Sequence, residues 1–244
     1  MTKNILKKQI PNIITSANLL CGCIAITYIA KGALLPASLL VLAAAIFDFF
    51  DGMAARLLKV GSPLGAELDS LADVVSFGLV PAYMVFTILL EISTSNIIPF
   101  LAFSIAIFSA YRLAKFNIDE RQTESFIGLP TPANALFWIS LPLIEWKLNQ
   151  GYGLVDSSWL YDLIMRESSI IILVALLSYL LIAEIPLMSL KVKSLKWSEN
   201  KSRFLLIGLS ILFILLFDFA SIPFILILYF IISFIENRTS THEI

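Results

Sequence analysis

The sequence predicts an all-α membrane protein, a polytopic helical bundle of about eight transmembrane helices with both termini cytoplasmic. Three observations carry that prediction. First, the 244 residues are 59% hydrophobic and only 14% charged, with a mean hydropathy of +0.90, whereas soluble domains average about 45–50% and ~25%. No water-soluble globule of this size hides so many apolar residues, because much of its surface must face solvent. Second, the apolar residues gather into runs of bilayer length, roughly 17–25 residues each. Third, lysines and arginines are shared unevenly between alternate connections.

The runs cover about 13–30, 34–57, 71–90, 97–114, 131–147, 168–189, 203–217 and 219–235. The last two form one apolar stretch interrupted by Asp218 and by Ser221-Ile222-Pro223. A single helix of that length would need a steep tilt, so two short helices and a tight turn are expected. The one long polar connection, about 148–167, carries Tyr152, Trp159 and Tyr161 and suits the headgroup level. Eight crossings return the chain to the side on which it began. Of the seventeen Lys and Arg, only Lys31, Lys147 and Arg166 then fall on the far side. The others, from Lys3, Lys7 and Lys8 through Lys191, Lys193, Lys196 and Arg238, mark the terminal side as the cytoplasmic face of the cell membrane.

The N-terminal lysines precede an apolar run that starts late and is followed by further spans, which argues against a cleaved signal peptide. Cys21 and Cys23 stand as Cys-Gly-Cys inside an apolar run and read as small packing residues, not as zinc ligands or a disulfide. A net charge of −1 gives no sign of nucleic acid, and none is expected as a partner. The chain shows no repeat and reads as one domain, 1–244, with additional C-terminal helices over about 168–235. His242, the lone histidine, sits on a charged tail and is given no role.

One segment breaks the membrane pattern: Asp48-Phe-Phe-Asp51-Gly52-Met-Ala-Ala55-Arg56, then Gly65-Ala-Glu-Leu-Asp69-Ser-Leu-Ala-Asp73. Ionisable groups at membrane depth are costly and normally face a cavity. Asp48, Asp51, Gly52 and Ala55 recur at i, i+3, i+4 and i+7, one helix face. Gly65, Asp69 and Asp73 recur at i, i+4 and i+8, again one face. Two helices joined around Gly61-Ser62-Pro63 thus turn four carboxylates toward each other. Four bare carboxylates repel, and a divalent cation removes the conflict. Oxygen-only ligation points to Mg²⁺ or Mn²⁺, and four aspartates suffice for two ions clamping a diphosphate. Arg56 suits a phosphate by bidentate hydrogen bonds, and Gly52 and Gly65 admit a ligand closely. The duller reading, helix caps or pairing with interfacial lysines, suits one such aspartate better than four on two matching faces.

The run Asp-x2-Asp-Gly-x2-Ala-Arg-x8-Gly-x3-Asp-x3-Asp, matched at every position from Asp48 to Asp73, resembles the signature of the CDP-alcohol phosphatidyltransferase family. That resemblance implies transfer of a phosphatidyl group from CDP-diacylglycerol, in the membrane lipid, to a small alcohol. It implies that Asp48, Asp51 and Asp69 are metal ligands and that Asp73 is the catalytic base and shares a metal. It also implies that Gly52, Ala55, Arg56 and Gly65 line the CDP-diacylglycerol pocket, and that the protein is a homodimer.

Three further stretches are similar to the phosphatidylserine synthases of that family: Pro11-Asn12 to Gly22, Tyr111-Arg112 to Asn117, and Phe126 to Ala135. With the signature they cover about residues 10–140 and make L-serine the expected acceptor. Lys115 stands where such members usually have Arg. Arg112, Lys115 and Asn117, at the cytoplasmic end of the fourth span, are the expected serine-binding group: a cation for the carboxylate, Asn117 for the ammonium. Arg112 and Lys115 also satisfy the positive-inside rule without any ligand. Thr15 and Asn18 are candidates for contact with the nucleotide, or with Asn12 for capping the first span. Thr131 and the two prolines beside it suit a helix start. The alternatives are glycerol 3-phosphate or an inositol (phosphate) as acceptor, which would call for more cations, and a transporter, which would call for inverted repeats.

Overall fold

A computed structural model describes residues 2–119, 126–151, 153–188, 197 and 200–240. Arg121, Tyr152, Lys191, Lys193, Lys196 and His242 lie outside the described residues. The first hairpin is α1 (Thr2–Ile29) and α2 (Leu34–Leu58), joined by a turn in which Gly32 has φ +72°. They pack along their lengths. Lys59, with φ 53°, closes the end of α2. Ser62 then caps α3 (Pro63–Asp73) by accepting from the Gly65 amide at 3.1 Å, with Pro63 in the first turn. Beyond Asp73 the helix widens into a π segment, Val74–Leu79, and continues as α4 (Val80–Ile92). A 3₁₀ stretch, Ile98–Phe103, leads into α5 (Ser104–Ile118).

The second half comprises α6 (Thr131–Gln150), α7 (Ser158–Ile164), α8 (Glu167–Ile182), α9 (Lys201–Phe217) and α10 (Ser221–Ser240). A two-residue strand pair, β1 (Phe126–Ile127) with β2 (Pro186–Leu187), is the one non-helical element among the described residues. The core centres on α6: Trp138, Ile139, Leu141, Leu143 and Ile144 are all buried, among them against Phe77, Met84 and Val85 of the preceding helices.

Five helical stretches among the described residues are long and apolar enough to cross a membrane, or six if the bent pair α7–α8 forms one span. The expected eight is therefore not reached by length and composition. The differences have physical causes. The helix α6 carries Glu145 and Lys147 and is surrounded by protein, so it needs less apolar surface than a lipid-facing helix. The stretch Lys201–Arg238 is apolar throughout, yet it breaks at Asp218, whose φ is 52° and ψ −128°. Arg203 then pairs with Glu236 at 3.8 Å, so α9 and α10 run back along each other.

Contacts between connections fasten the helix ends. At one end Lys115 meets Glu184 at 3.0 Å, and Asn237 donates to the Pro186 carbonyl at 2.6 Å. At the other, Lys147 meets Asp218 at 3.2 Å, and Ser93 donates to Glu167 at 2.6 Å.

Candidate active site

The aspartates come together as their spacing predicts. Ligand atoms of Asp48, Asp51 and Asp69 all lie within 4.8 Å of one another. Asp69 Oδ1 is buried without a hydrogen-bond partner. Three converging carboxylates, one of them with an orphaned oxygen, fit hard divalent cations, whose ligands are oxygens. Asp73 stands one helical turn deeper, about 6 Å along α3, and is not part of that close triad. Its Oδ1 accepts from Asn18 Nδ2 at 3.1 Å.

The helix α1 orders these carboxylates from the opposite side. Thr15 Oγ1 donates to Asp51 Oδ2 at 2.6 Å and also approaches the Pro11 carbonyl at 3.0 Å. Ser76 Oγ donates to the Asn18 carbonyl at 3.0 Å. These contacts depend on Gly22: a Cβ there would sit 2.5 Å from Ser76 Oγ and 3.0 Å from its Cα. The two backbones meet at that point, where the π segment begins, and Asn18 and Thr15 follow one and two turns away on the same face. Sequence reasoning missed Gly22, because it read Cys-Gly-Cys through its cysteines. Thr15 and Asn18, expected at the nucleotide, are engaged with Asp51 and Asp73.

A cavity of about 190 Å³ opens beside the triad between α1, α2 and α3. Thr15, Asp51, Gly52, Ala55, Gly65 and Asp69 all line it. A Cβ at Gly65 would press on Asn12 Oδ1 and Ser62 Oγ, each at 3.2 Å, so the cavity narrows with any larger residue. Arg56 is exposed beside it; a Cβ at Gly52 would lie 3.4 Å from its Nη1.

The three residues expected around serine separate. Arg112 is 7% exposed, and its Nε and Nη2 have no hydrogen-bond partner. Lys115 is paired with Glu184. Asn117 is exposed and exchanges hydrogen bonds with Ser70 at 3.0 and 3.2 Å. Further buried polar groups without partners, Ser109 Oγ, Thr131 Oγ1 and Asn134 Nδ2, stand on α5 and α6, which touch. Asn134 Oδ1 accepts from Trp138 at 3.1 Å, which leaves its amide hydrogens directed elsewhere. Buried polar groups are almost always paired, so these atoms call for a polar partner that the described residues do not supply. Thr131 and Asn134 were readable only as a helix start; their burial was the missing signal.

Comparison with known proteins supplies a family. The model of the CDP-alcohol phosphatidyltransferases matches residues 8–165. A CDP-diacylglycerol–serine O-phosphatidyltransferase of Helicobacter pylori is 31% identical over 206 residues, covering 84% of this chain and 81% of its own. One of Bacillus subtilis is 39% identical over 127 residues, 50% of this chain and 69% of its own. A third, of Methanocaldococcus jannaschii, is 38% identical over 130 residues, 53% of this chain and 58% of its own.

Proposed function

Because the chain belongs to the CDP-alcohol phosphatidyltransferase family, we propose that it transfers the phosphatidyl group of CDP-diacylglycerol to L-serine, giving phosphatidylserine and CMP. The observation that carries the acceptor is the buried Arg112 guanidinium, two of whose nitrogens have no hydrogen-bond partner. A buried cation of that kind calls for an anionic group, and serine brings one carboxylate. Lys115 is committed to Glu184, which leaves Arg112 the open cation of the expected serine group and disfavours an acceptor bearing a doubly charged phosphate. The names of the relatives agree with that choice.

In this reading Asp48, Asp51 and Asp69 would hold the divalent ions, two of Mg²⁺ or Mn²⁺. When bound, the ions neutralise the diphosphate and the charge that develops on departing CMP. Thr15 keeps Asp51 turned toward the triad, and Arg56 takes a diphosphate oxygen from the open side. The cavity beside Gly52, Ala55 and Gly65 receives the nucleotide. Arg112 holds the serine carboxylate so that the hydroxyl faces Asp73. Asn18 fixes one Asp73 oxygen, and the other takes the hydroxyl proton as the serine oxygen bonds to the lipid-linked phosphorus. The bond from that phosphorus to the CMP oxygen breaks, and its electrons leave with CMP. The same reading places the site at the cytoplasmic face of the cell membrane, with both termini on that side, and the protein as a homodimer; the mass of the detergent-solubilised protein checks the last point.

The acceptor assignment is tested with Arg112→Ala, for which the serine KM should rise more than tenfold, the scale of a lost charged hydrogen-bond pair. Ethanolamine, which lacks the carboxylate, should be a poor acceptor for the unaltered enzyme, because the buried cation would stay unpaired. An unchanged serine KM would return Arg112 to a topology anchor.

A further inference from the structure

A groove runs along one face of α10, apart from the helices that carry the aspartates. Near the end of α10 it encloses about 640 Å³ between Pro186 and Leu187 of β2 and Phe230, Ile231, Phe234 and Arg238 of α10. A second cavity of about 450 Å³ continues it between α8 and α10, and Phe230 lines both. Apart from Ser169, every side chain that lines the second cavity is apolar. Pro223, Ile227, Phe230, Phe234 and Arg238 fall on one stripe of α10 at helical spacing. From Pro223 to Arg238 that stripe is about 22 Å long. It exceeds one leaflet, half of a hydrocarbon core about 30 Å thick. No residue lining either cavity belongs to α1, α2 or α3, which enclose the cavity beside the triad.

The stripe ends in a cation. The Arg238 guanidinium carbon lies 4.6 Å from the centre of the Phe234 ring, so the side chain is laid back along the groove. Arg238 is exposed and makes no ion pair among the described residues. The one acid among the lining residues, Glu184, is paired with Lys115 at 3.0 Å. The sequence after Met188 adds Lys191, Lys193 and Lys196, with Glu199 as the single acid before Lys201. An arginine takes a phosphate by two parallel hydrogen bonds, and cations clustered beside a membrane span attract anionic lipid. Apolar walls do not hold water, and what a bilayer offers to such a groove is an acyl chain.

We propose that this groove binds one anionic phospholipid of the surrounding bilayer: an acyl chain lies along Phe230 and Phe234, and Arg238 holds the lipid phosphate. A zwitterionic lipid brings its own cation beside the phosphate, which the lysines after Met188 disfavour, so net negative charge is selected. The site is separate from the transfer reaction and stands whichever alcohol is the acceptor. Leu187, which lines the groove, pairs with Phe126 of β1 just ahead of α6. Bound lipid therefore steadies the connection from which α6 starts.

The test is lipid binding to the purified full-length protein, stripped of lipid in a nonionic detergent. Dioleoyl phosphatidylglycerol or dioleoyl phosphatidylcholine is added, and binding is read by native mass spectrometry and by the thermal unfolding midpoint. Phosphatidylglycerol should bind about tenfold more tightly, the scale of one charged hydrogen-bond pair, and should raise the midpoint further. Arg238→Gln should bring the two lipids to within about twofold of each other. Ile231→Trp fills the groove from an exposed position and should weaken both lipids. Lys7→Gln removes an exposed cation of α1 and should leave the preference intact. Equal binding of the two lipids by the unaltered protein would reduce the groove to ordinary bilayer contact and overturn the proposal. So would a preference that survives Arg238→Gln, or binding that Ile231→Trp leaves unchanged. A preference lost equally in Lys7→Gln would overturn it too, since the charge of the whole face would then attract the lipid.

Discussion

At the scale of residues, the site divides into a triad and a fourth aspartate with different surroundings. Asp48, Asp51 and Asp69 converge, whereas Asp73 is held by Asn18. The two groups should respond differently to loss of charge. Asp69→Asn should weaken divalent-ion dependence and lower activity by orders of magnitude, because it removes charge from the cation site. Asp73→Asn should depress kcat to a similar extent while CDP-diacylglycerol still binds, which a direct binding measurement on the variant would establish. Loss of nucleotide-lipid binding in Asp73→Asn would make that residue a metal ligand above all. Thr15→Val deletes the 2.6 Å donor to Asp51 without changing any charge, and should cost about tenfold in kcat/KM, read from initial rates. The four aspartates were readable from sequence because helical periodicity alone puts them on two faces. Thr15 and Asn18 were readable as candidates and not as partners of Asp51 and Asp73, because that requires knowing how deeply α1 sits against α3.

At the scale of elements, two glycines decide how closely segments approach. Gly22 lets α1 touch the π segment. Gly128, with φ +76°, lies where an added Cβ would meet the Leu181 carbonyl at 2.8 Å and the Ala183 carbonyl at 3.0 Å. Gly128→Ala therefore suffers both a left-handed backbone, about 1–2 kcal/mol, and a clash with carbonyls that cannot move freely. It should lower the thermal unfolding midpoint in detergent and raise the serine KM, since the segment opening α6 would shift away from α5. A variant with unaltered stability would show that this connection has room to adjust. Helix positions were largely predictable, because apolar runs of bilayer length report them directly. The π segment was not, since no residue pattern distinguishes Val74–Leu79 from ordinary helix. The run at 131–147 was readable as a span, but not that α6 fills the centre of the bundle, which hydropathy does not encode. The break at Asp218 was readable from one charged residue and a nearby proline in an apolar run.

At the scale of the whole molecule, the uneven sharing of Lys and Arg between alternate connections sets the orientation expected in the membrane. A reporter fused after Ile244 should therefore read out as cytoplasmic, and a tag near Gly151 as the opposite face; both on one face would defeat the arrangement. The helices that carry the aspartates occupy the first half of the chain, and the second half, which the sequence offers only as hydrophobic spans, packs α8 against α5. The central claim is metal-dependent transfer to serine, and the most direct measurement follows product formation by the purified protein. CDP-diacylglycerol is supplied with serine, glycerol 3-phosphate, inositol or ethanolamine, before and after chelation by EDTA. Phosphatidylserine and CMP should form in equal amounts with serine, with little product from the others, no reaction after chelation, and recovery with Mg²⁺ or Mn²⁺. Preferred transfer to glycerol 3-phosphate or inositol, or full activity after exhaustive chelation, would contradict that claim.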